Sequence, residues 1–264
     1  MTELRHLQLT ILNIMRDVDE LCKKHNIPYY LIGGSALGAV RHNGFIPWDD
    51  DLDIAIREAD YRRFVSLAKR ELDPKKYYVQ EGLADWPMYF SKIKLKGTYV
   101  KEIGGSVFDD WKSGIFLDVF KLDNTPNKKF LQMIQYALAK YFTSFQLAQR
   151  KYHSSSFKKK VIVMLSYPLK ISALRKYLIK YVDHWNKSDT NYLGFFYSRT
   201  TFKTSIMERQ IYGIPKRVPF ENLQLPIPEH YHEYLTHMFG DYMKLPPVEQ
   251  RQGLHMISIN FGKY

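Results

Sequence analysis

Asp51 and Asp53 stand two residues apart in the run Asp49-Asp50-Asp51-Leu52-Asp53-Ile54, framed by apolar side chains. A strand has a side-chain period of two, so an extended backbone here puts both carboxylates on one face. Two acids held side by side repel each other unless a cation lies between them. Hard divalent ions such as Mg2+, with Mn2+ as a substitute, take oxygen ligands and commonly share them with substrate phosphates. Upstream lies Leu31-Ile32-Gly33-Gly34-Ser35-Ala36-Leu37-Gly38. Gly33 and Gly34 let the backbone approach an anion closely, Ser35 adds a hydroxyl, and a following helix would aim its N-terminus at the same point. A third acid, Asp118, sits inside Gly114-Ile115-Phe116-Leu117-Asp118-Val119-Phe120. An acid in so apolar a strand is costly to bury unless it is paired or meets a cation. Asp51, Asp53 and Asp118 are therefore the candidate metal ligands and catalytic groups of an enzyme acting on a phosphoanhydride. Gly33, Gly34 and Ser35 are its candidate phosphate cradle.

Other residues are candidates for substrate contact. Arg41 and His42 are expected to face the acids from the loop after the cradle, and arginine suits bidentate phosphate contacts. Asp49 and Asp50 are either neighbours of the metal site or strand-entry residues. Lys92 and Lys94 share one face of an expected hairpin, where they meet either a phosphate or solvent. His255 is a further candidate, though a lone late histidine is more often structural.

These residues need a scaffold, and the apolar spacing supplies one. Leu4, Leu7, Ile11, Ile14, Val18 and Leu21 recur at helical steps. Tyr29-Tyr30-Leu31-Ile32 reads as a short buried strand, residues 36–41 as a short helix, and residues 58–72 as a second helix stopped by Asp73-Pro74. Residues 89–95 and 98–100 read as a hairpin turning at Lys96-Gly97. From Lys128 to Trp185 the pattern is helical, with Phe130, Ile134, Ala137, Leu138, Tyr141 and Phe145 as one stripe and a kink at Pro168. The last third reads as an irregular cover with one short helix. The expected fold is α+β, a mixed β-sheet core flanked by helices. Its expected parts are a catalytic core over 1–125, a basic amphipathic helical segment over 126–190, and a C-terminal part over 191–264 that packs on the core.

The chain has 264 residues, one cysteine (Cys22) and a formal charge of +12. One cysteine excludes a disulfide framework or a cysteine-rich metal site. The N-terminus has no apolar run of the signal-peptide kind and no segment reaches a membrane span of about 20 apolar residues. A cytoplasmic location is expected, with peripheral contact at the inner face of the plasma membrane. Between residues 121 and 190 fourteen Lys or Arg face three acids, so this segment carries nearly all the net charge. It is either a solvated face, a surface for anionic lipid, or a grip on a polyanionic acceptor. A nucleic-acid-binding role, suggested by a pI of about 9.5, has no recognition motif behind it and no use for a third acid in register.

Gly33-Gly34-Ser35, Asp51-Leu52-Asp53-Ile54 and Asp118 resemble the pattern of the nucleotidyltransferase-fold superfamily. The spacer Gly38-Ala39-Val40-Arg41-His42-Asn43-Gly44-Phe45-Ile46-Pro47-Trp48-Asp49-Asp50 resembles that of the LicD branch. So do Tyr234-Leu235, Phe239-Gly240-Asp241-Tyr242-Met243-Lys244-Leu245-Pro246-Pro247 and His255 near the C-terminus. The likeness covers about residues 5–120 and 200–255. It implies a nucleotidyltransferase-like core and transfer of a phospho-alcohol, typically phosphocholine, from a CDP-linked donor to a sugar hydroxyl. The acceptor would be a cell-surface glycopolymer or lipid-linked sugar, teichoic acid or lipopolysaccharide, with teichoic acid favoured here. The alternative is a nucleotidyltransferase of the same fold that moves a nucleotide from an NTP to a small molecule or sugar phosphate.

Overall fold

The computed structural model describes the chain apart from residues 84–87, 103–112, 150–159, 162–163, 199, 252 and 254–255. His255 thus lies outside the described residues. In chain order the main elements are α1 (Glu3–Lys24), β1 (Tyr29–Leu31), α2 (Gly33–His42), β2 (Asp53–Arg57), α3 (Glu58–Glu71), β3 (Tyr77–Gln80), β4 (Ser91–Leu95), β5 (Tyr99–Glu102) and β6 (Phe116–Thr125). There follow α4 (Lys129–Gln149), α5 (Ser172–Val182), β7 (Tyr192–Gly194), β8 (Ile206–Glu208), β9 (Lys216–Phe220), β10 (Leu223–Ile227), α6 (Tyr231–Phe239) and β11 (Met256–Asn260). The fold is α+β.

The central sheet has the order β1-β2-β6-β4-β3, and β7 and β8 extend it from the far end of β6. Only β2 and β6 pair in parallel; the other pairs are antiparallel. β6 is buried along nearly its whole length, including its charged Asp118, Lys121 and Asp123. One face of the sheet is covered by α1 and α3. Leu7, Ile11, Ile14, Val18 and Leu21 of α1 are buried there as their spacing predicts, and Thr2 caps the helix by accepting from Arg5 N–H at 3.2 Å. Tyr61 of α3 reaches down to Ser91 Oγ at 2.7 Å. Cys22 is buried on the same stripe, and burial pushes its thiol up to about 12.

Three expectations are corrected. Residues 89–102 do not form a hairpin: β4 pairs with β3 and β6, while β5 leaves at Gly97 (φ +81°) and pairs antiparallel with β11. Both flanking segments are strands, but local spacing cannot reveal that a partner more than 150 residues away captures the second. The α4 stripe is rotated. Phe130 and Ala137 are exposed, while Gln132, Gln135, Ala139, Phe142 and Phe145 face inward. The helix is apolar around most of its circumference, and the glutamines settle its rotation by donating to the carbonyls of Pro126 (2.9 Å) and of Asn124 and Val182 (3.1 and 2.9 Å). At Pro168 the chain forms a separate 3-10 turn, Tyr167–Lys170, rather than a kink. The C-terminal third also holds more regular structure than its sequence suggests, because β7, β8 and β11 find their partners in the N-terminal half or in each other.

Ala139, Phe142, Phe145, Leu169, Leu178, Val182 and Phe196 make a second, smaller core beneath the basic segment. It joins the main sheet through Ile206 of β8 and through an ionic cluster. Lys121 on β6 is 2.7 Å from Asp123 Oδ1 and 2.8 Å from Asp183 Oδ1, with Tyr89 Oη donating to the other Asp183 oxygen. At the rim of the small core, Lys140 donates to Ser198 O at 2.7 Å. Burial depresses the Lys140 ammonium to about 8. A folded-state lysine below its usual value stores a penalty at neutral pH that is relieved as pH rises from about 8 toward 10.5. Lys140→Met is therefore expected to raise stability by about 1 kcal/mol at pH 7 after allowance for solvent screening. In urea titrations the gain should shrink toward zero by pH 10.5; a gain that grows with pH contradicts the assignment.

Candidate active site

The acids converge through the registers of the sheet. Asp53 of β2 pairs with Asp118 of β6, Asp118 with Lys92 of β4, and Lys92 with Gln80 of β3. Directly paired residues share a face, so these four side chains form one row across four strands. Ser91 points to α3, so the row lies on the opposite face of the sheet. Lys92 Nζ is 3.3 Å from Asp118 Oδ1 and lies 3.2 Å from the centre of the Phe116 ring. Lys92 and Lys94 are both buried, so the alternative of a solvated strand face does not hold for either. Buried in that row, Lys92 is the counter-charge of Asp118.

Asp51 precedes the strand rather than lying in it, since β2 begins at Asp53. The ladder still reaches Leu52, whose carbonyl accepts from Asp118 N–H at 3.2 Å. Asp49, Asp50 and Asp51 form a close group of carboxylates, with an oxygen of each within 4.8 Å of the others. Burial pushes the Asp53 carboxyl well above its ordinary range, and the negative charges of Asp51, Asp118 and Asp49 push it further, with Lys92 opposing them. Asp50 Oδ2 accepts from Met256 N–H at 3.0 Å, which ties this loop to β11.

Gly33, Gly34 and Ser35 are the first turn of α2 itself, not a loop before it. Gly33 adopts φ +54° with open space around the position of a Cβ. At Gly34 a Cβ would stand 2.9 Å from Asp49 Oδ2, so glycine is what lets the acidic loop lie against this turn. Gly33 N–H donates to Tyr234 Oη on α6 at 2.9 Å, and Ser35 and Ala36 N–H both turn back to Ile32 O. Ser35 Oγ accepts from Asp53 N–H at 2.8 Å, and Asp53 O accepts from Ile32 N–H at 3.2 Å. The start of α2 and the first residue of β2 are thus bolted together, with the Ser35 hydroxyl hydrogen still available to a ligand.

The intervening loop is held from three sides. Asn43 ends α2 in the left-handed region (φ 52°), a conformation asparagine tolerates. Gln8 of α1 donates to the carbonyls of Ile46 (3.2 Å) and Asp49 (2.9 Å). Glu221, in the β9–β10 turn, accepts from Phe45 N–H while Arg5 grips it with both terminal nitrogens at 2.8 and 2.6 Å. Gly38 sits where α2 meets the loop: a Cβ there would be 2.4 Å from Gly44 O. Gly38→Ala must shift backbone and is expected to cost about 1–3 kcal/mol. A thermal midpoint equal to that of wild type would show that the loop is not held against α2.

Arg41 points away from the expected use. Its guanidinium donates to the carbonyls of Tyr242 (2.8 Å) and Lys244 (3.4 Å), and its Nε to His42 Nε2 at 3.0 Å. It clamps the C-terminal cover onto α2. Burial and then the Arg41 charge lower the His42 imidazole below its usual range, and its ring meets Trp48 edge-on. Sequence reasoning missed Gln8, Arg5 and Glu221 because their partners are backbone atoms or residues far away in the chain. It also missed Gln80, whose amide is fully buried beside Lys92 with no hydrogen-bond partner among the described residues.

A mixed sheet that carries cross-paired acids beside a glycine-started helix has the organisation of a nucleotidyltransferase domain. The chain matches the LicD/FKTN/FKRP nucleotidyltransferase domain over residues 26–167. It is 32% identical over 265 residues to the lipopolysaccharide cholinephosphotransferase LicD of Haemophilus influenzae, covering 96% of each chain. Shorter likenesses, 50% over 59 residues and 52% over 52 residues, join it to uncharacterized proteins of Rickettsia typhi and Rickettsia prowazekii. The chain belongs to the LicD family and is a phosphotransferase of the LicD type.

Proposed function

We propose that this enzyme transfers phosphocholine from CDP-choline to a sugar hydroxyl of a cell-surface glycan, a lipopolysaccharide or teichoic-acid sugar. The full-length likeness to the Haemophilus lipopolysaccharide cholinephosphotransferase carries this reading. The site chemistry is compatible with it. Transfer of a phosphoryl group needs charge neutralisation and in-line positioning more than covalent chemistry.

A divalent cation, Mg2+ or Mn2+, suits the donor set: Asp51 belongs to the close group Asp49–Asp51, and Asp53 is raised by the charges of Asp51, Asp118 and Asp49 in a way that a cation would relieve. Asp51, Asp53 and Asp118 would hold it. Bound there, as one ion or two, it would neutralise the diphosphate and steady the attacking and leaving oxygens. The chain's own residues do the rest. At the first turn of α2 the Ser35 hydroxyl would meet a phosphate, with Gly33 and Gly34 leaving the backbone open to it. Asp118 takes the proton of the acceptor hydroxyl, and the buried Lys92 fixes its carboxylate in the row. Asp50 and the Arg41–His42 pair hold the loop and the cover that close over the donor.

A nucleotidyltransferase using the same site would release pyrophosphate from CTP instead of CMP from CDP-choline. Supplying the purified protein with each nucleotide in turn, together with a glycan and a sugar-phosphate acceptor, and separating products by anion exchange distinguishes the two. CMP formed from CDP-choline, with CTP left intact, is the expected result. Pyrophosphate formed from CTP, with CDP-choline intact, contradicts the proposal.

A further inference from the structure

Eight of the fifteen large hydrophobic side chains that stand exposed among the described residues belong to the basic segment. Six of them are close together in the chain: Met164, Leu165, Tyr167, Ile171, Leu174 and Tyr177, the last 70% exposed. Leu174 and Tyr177 lie one turn apart on α5, while Leu178 and Val182 of the same helix point into the small core. The 3-10 turn before it is anchored by Leu169, which is fully buried. Leu174 continues the Leu178–Val182 line past the edge of the small core and Tyr177 stands beside it, so the apolar surface of α5 extends beyond what the core buries.

The charge around this face has one sign. Between Asp123 and Asp183 the chain contains no Asp or Glu and twelve Lys or Arg. Lys170, Lys176 and Lys180 stand exposed among the apolar residues, and Lys170 lies over the Tyr167 ring at 4.5 Å. Contiguous exposed apolar groups on a soluble domain mark an interaction surface. Aliphatic and tyrosine side chains interleaved with long basic ones are the composition of a helix lying in the plane of a bilayer interface, with lysine stems reaching up to the headgroups. Among the described residues no helix is long and apolar enough to cross a membrane.

We infer that Tyr167–Lys170 and α5 form a docking face for an anionic lipid surface, with Leu165, Ile171, Leu174 and Tyr177 entering the headgroup boundary and Lys170 and Lys180 meeting lipid phosphates. The Lys121–Asp123–Asp183 bridge fixes this layer to β6, the strand that carries Asp118. Five residues of strand separate Asp118 from Asp123, about 17 Å. Docking would hold the catalytic row at a set height above a membrane, within reach of an acceptor carried on lipid. The inference does not depend on which group the site transfers.

Flotation of the full chain with vesicles tests it. At low salt the protein is expected to float with phosphatidylglycerol–phosphatidylcholine vesicles, to bind pure phosphatidylcholine far less, and to lose binding as salt rises. Lys170→Gln/Lys180→Gln should lower the partition coefficient about 30-fold. Leu174→Ser/Tyr177→Ser, at exposed positions that leave the melting temperature unchanged, should lower it at least about tenfold. Absence of flotation at low salt overturns the inference. So does unchanged partitioning of the Leu174→Ser/Tyr177→Ser protein, which would mean diffuse electrostatic attraction. A lipid-free dimer in sedimentation velocity that this variant dissolves would assign the face to a second copy of the chain instead.

Discussion

Asp53→Asn is expected to fold as the wild type does and to lose transfer activity by about 10³-fold or more. The substitution keeps the shape of the side chain. The Asp53 N–H bond to Ser35 Oγ and the pairing with Asp118 are backbone features that survive it. What it removes is the charge at the centre of a cluster in which Asp51, Asp118 and Asp49 all act on Asp53. A group that serves only the fold would be better off neutral there, because burial and three like charges all oppose its ionisation. The thermal midpoint of Asp53→Asn is thus expected to equal or exceed that of wild type while turnover collapses. This opposition of stability and activity is what separates a catalytic carboxylate from a structural one. A variant that is both folded and active removes Asp53 from the chemistry.

Lys121→Met is expected to do the reverse, with a loss of about 3–5 kcal/mol of stability. Lys121 is the cation for two carboxylates, and its removal leaves Asp123, fully buried, with Asn186 as its remaining donor. Burial already pushes the Asp123 carboxyl up to about 6, with Lys121 holding it down and Asp183 raising it. A carboxyl raised in the folded state loses stability as pH climbs from its unfolded value near 3.8 through about 6, because the unfolded chain gives up the proton first. Without Lys121 that window extends to higher pH. The deficit of Lys121→Met relative to wild type should therefore be smaller at pH 5 than at pH 8, and Asp123→Asn in the same background should recover part of it. A deficit independent of pH would mean that the loss is packing around the lysine stem rather than an orphaned charge.

What could be read from the sequence follows the range of the interactions involved. α1, α3 and the buried strands were legible because apolar period and caps are local, and Leu7 through Leu21 or Tyr61 through Ala68 carry the whole signal. The acid row was legible in part. Asp53 and Asp118 announce themselves as charges in apolar frames, and parallel pairing of β2 with β6 brings them together. Lys92 could not be placed, because whether a strand lysine faces water or a carboxylate depends on β4 lying between β3 and β6. The partner of β5 was invisible for the same reason. Arg41 shows the limit of residue-type reasoning: an arginine near a phosphate site suits phosphate, yet here the carbonyls of Tyr242 and Lys244 hold it. The face of α4 was misread because apolar residues occur on most sides of the helix and the deciding groups are glutamines that reach backbone carbonyls.

The most direct test of the central claim follows choline itself. Purified protein with Mg2+, CDP-choline labelled in the choline methyl groups, and a choline-free lipopolysaccharide or teichoic-acid acceptor should place label on the glycan. One CMP should appear for each phosphocholine transferred, and the Asp118→Asn protein should place none. Label that stays in the nucleotide while wild-type protein consumes CTP, or label transfer that persists in Asp118→Asn, would contradict the account.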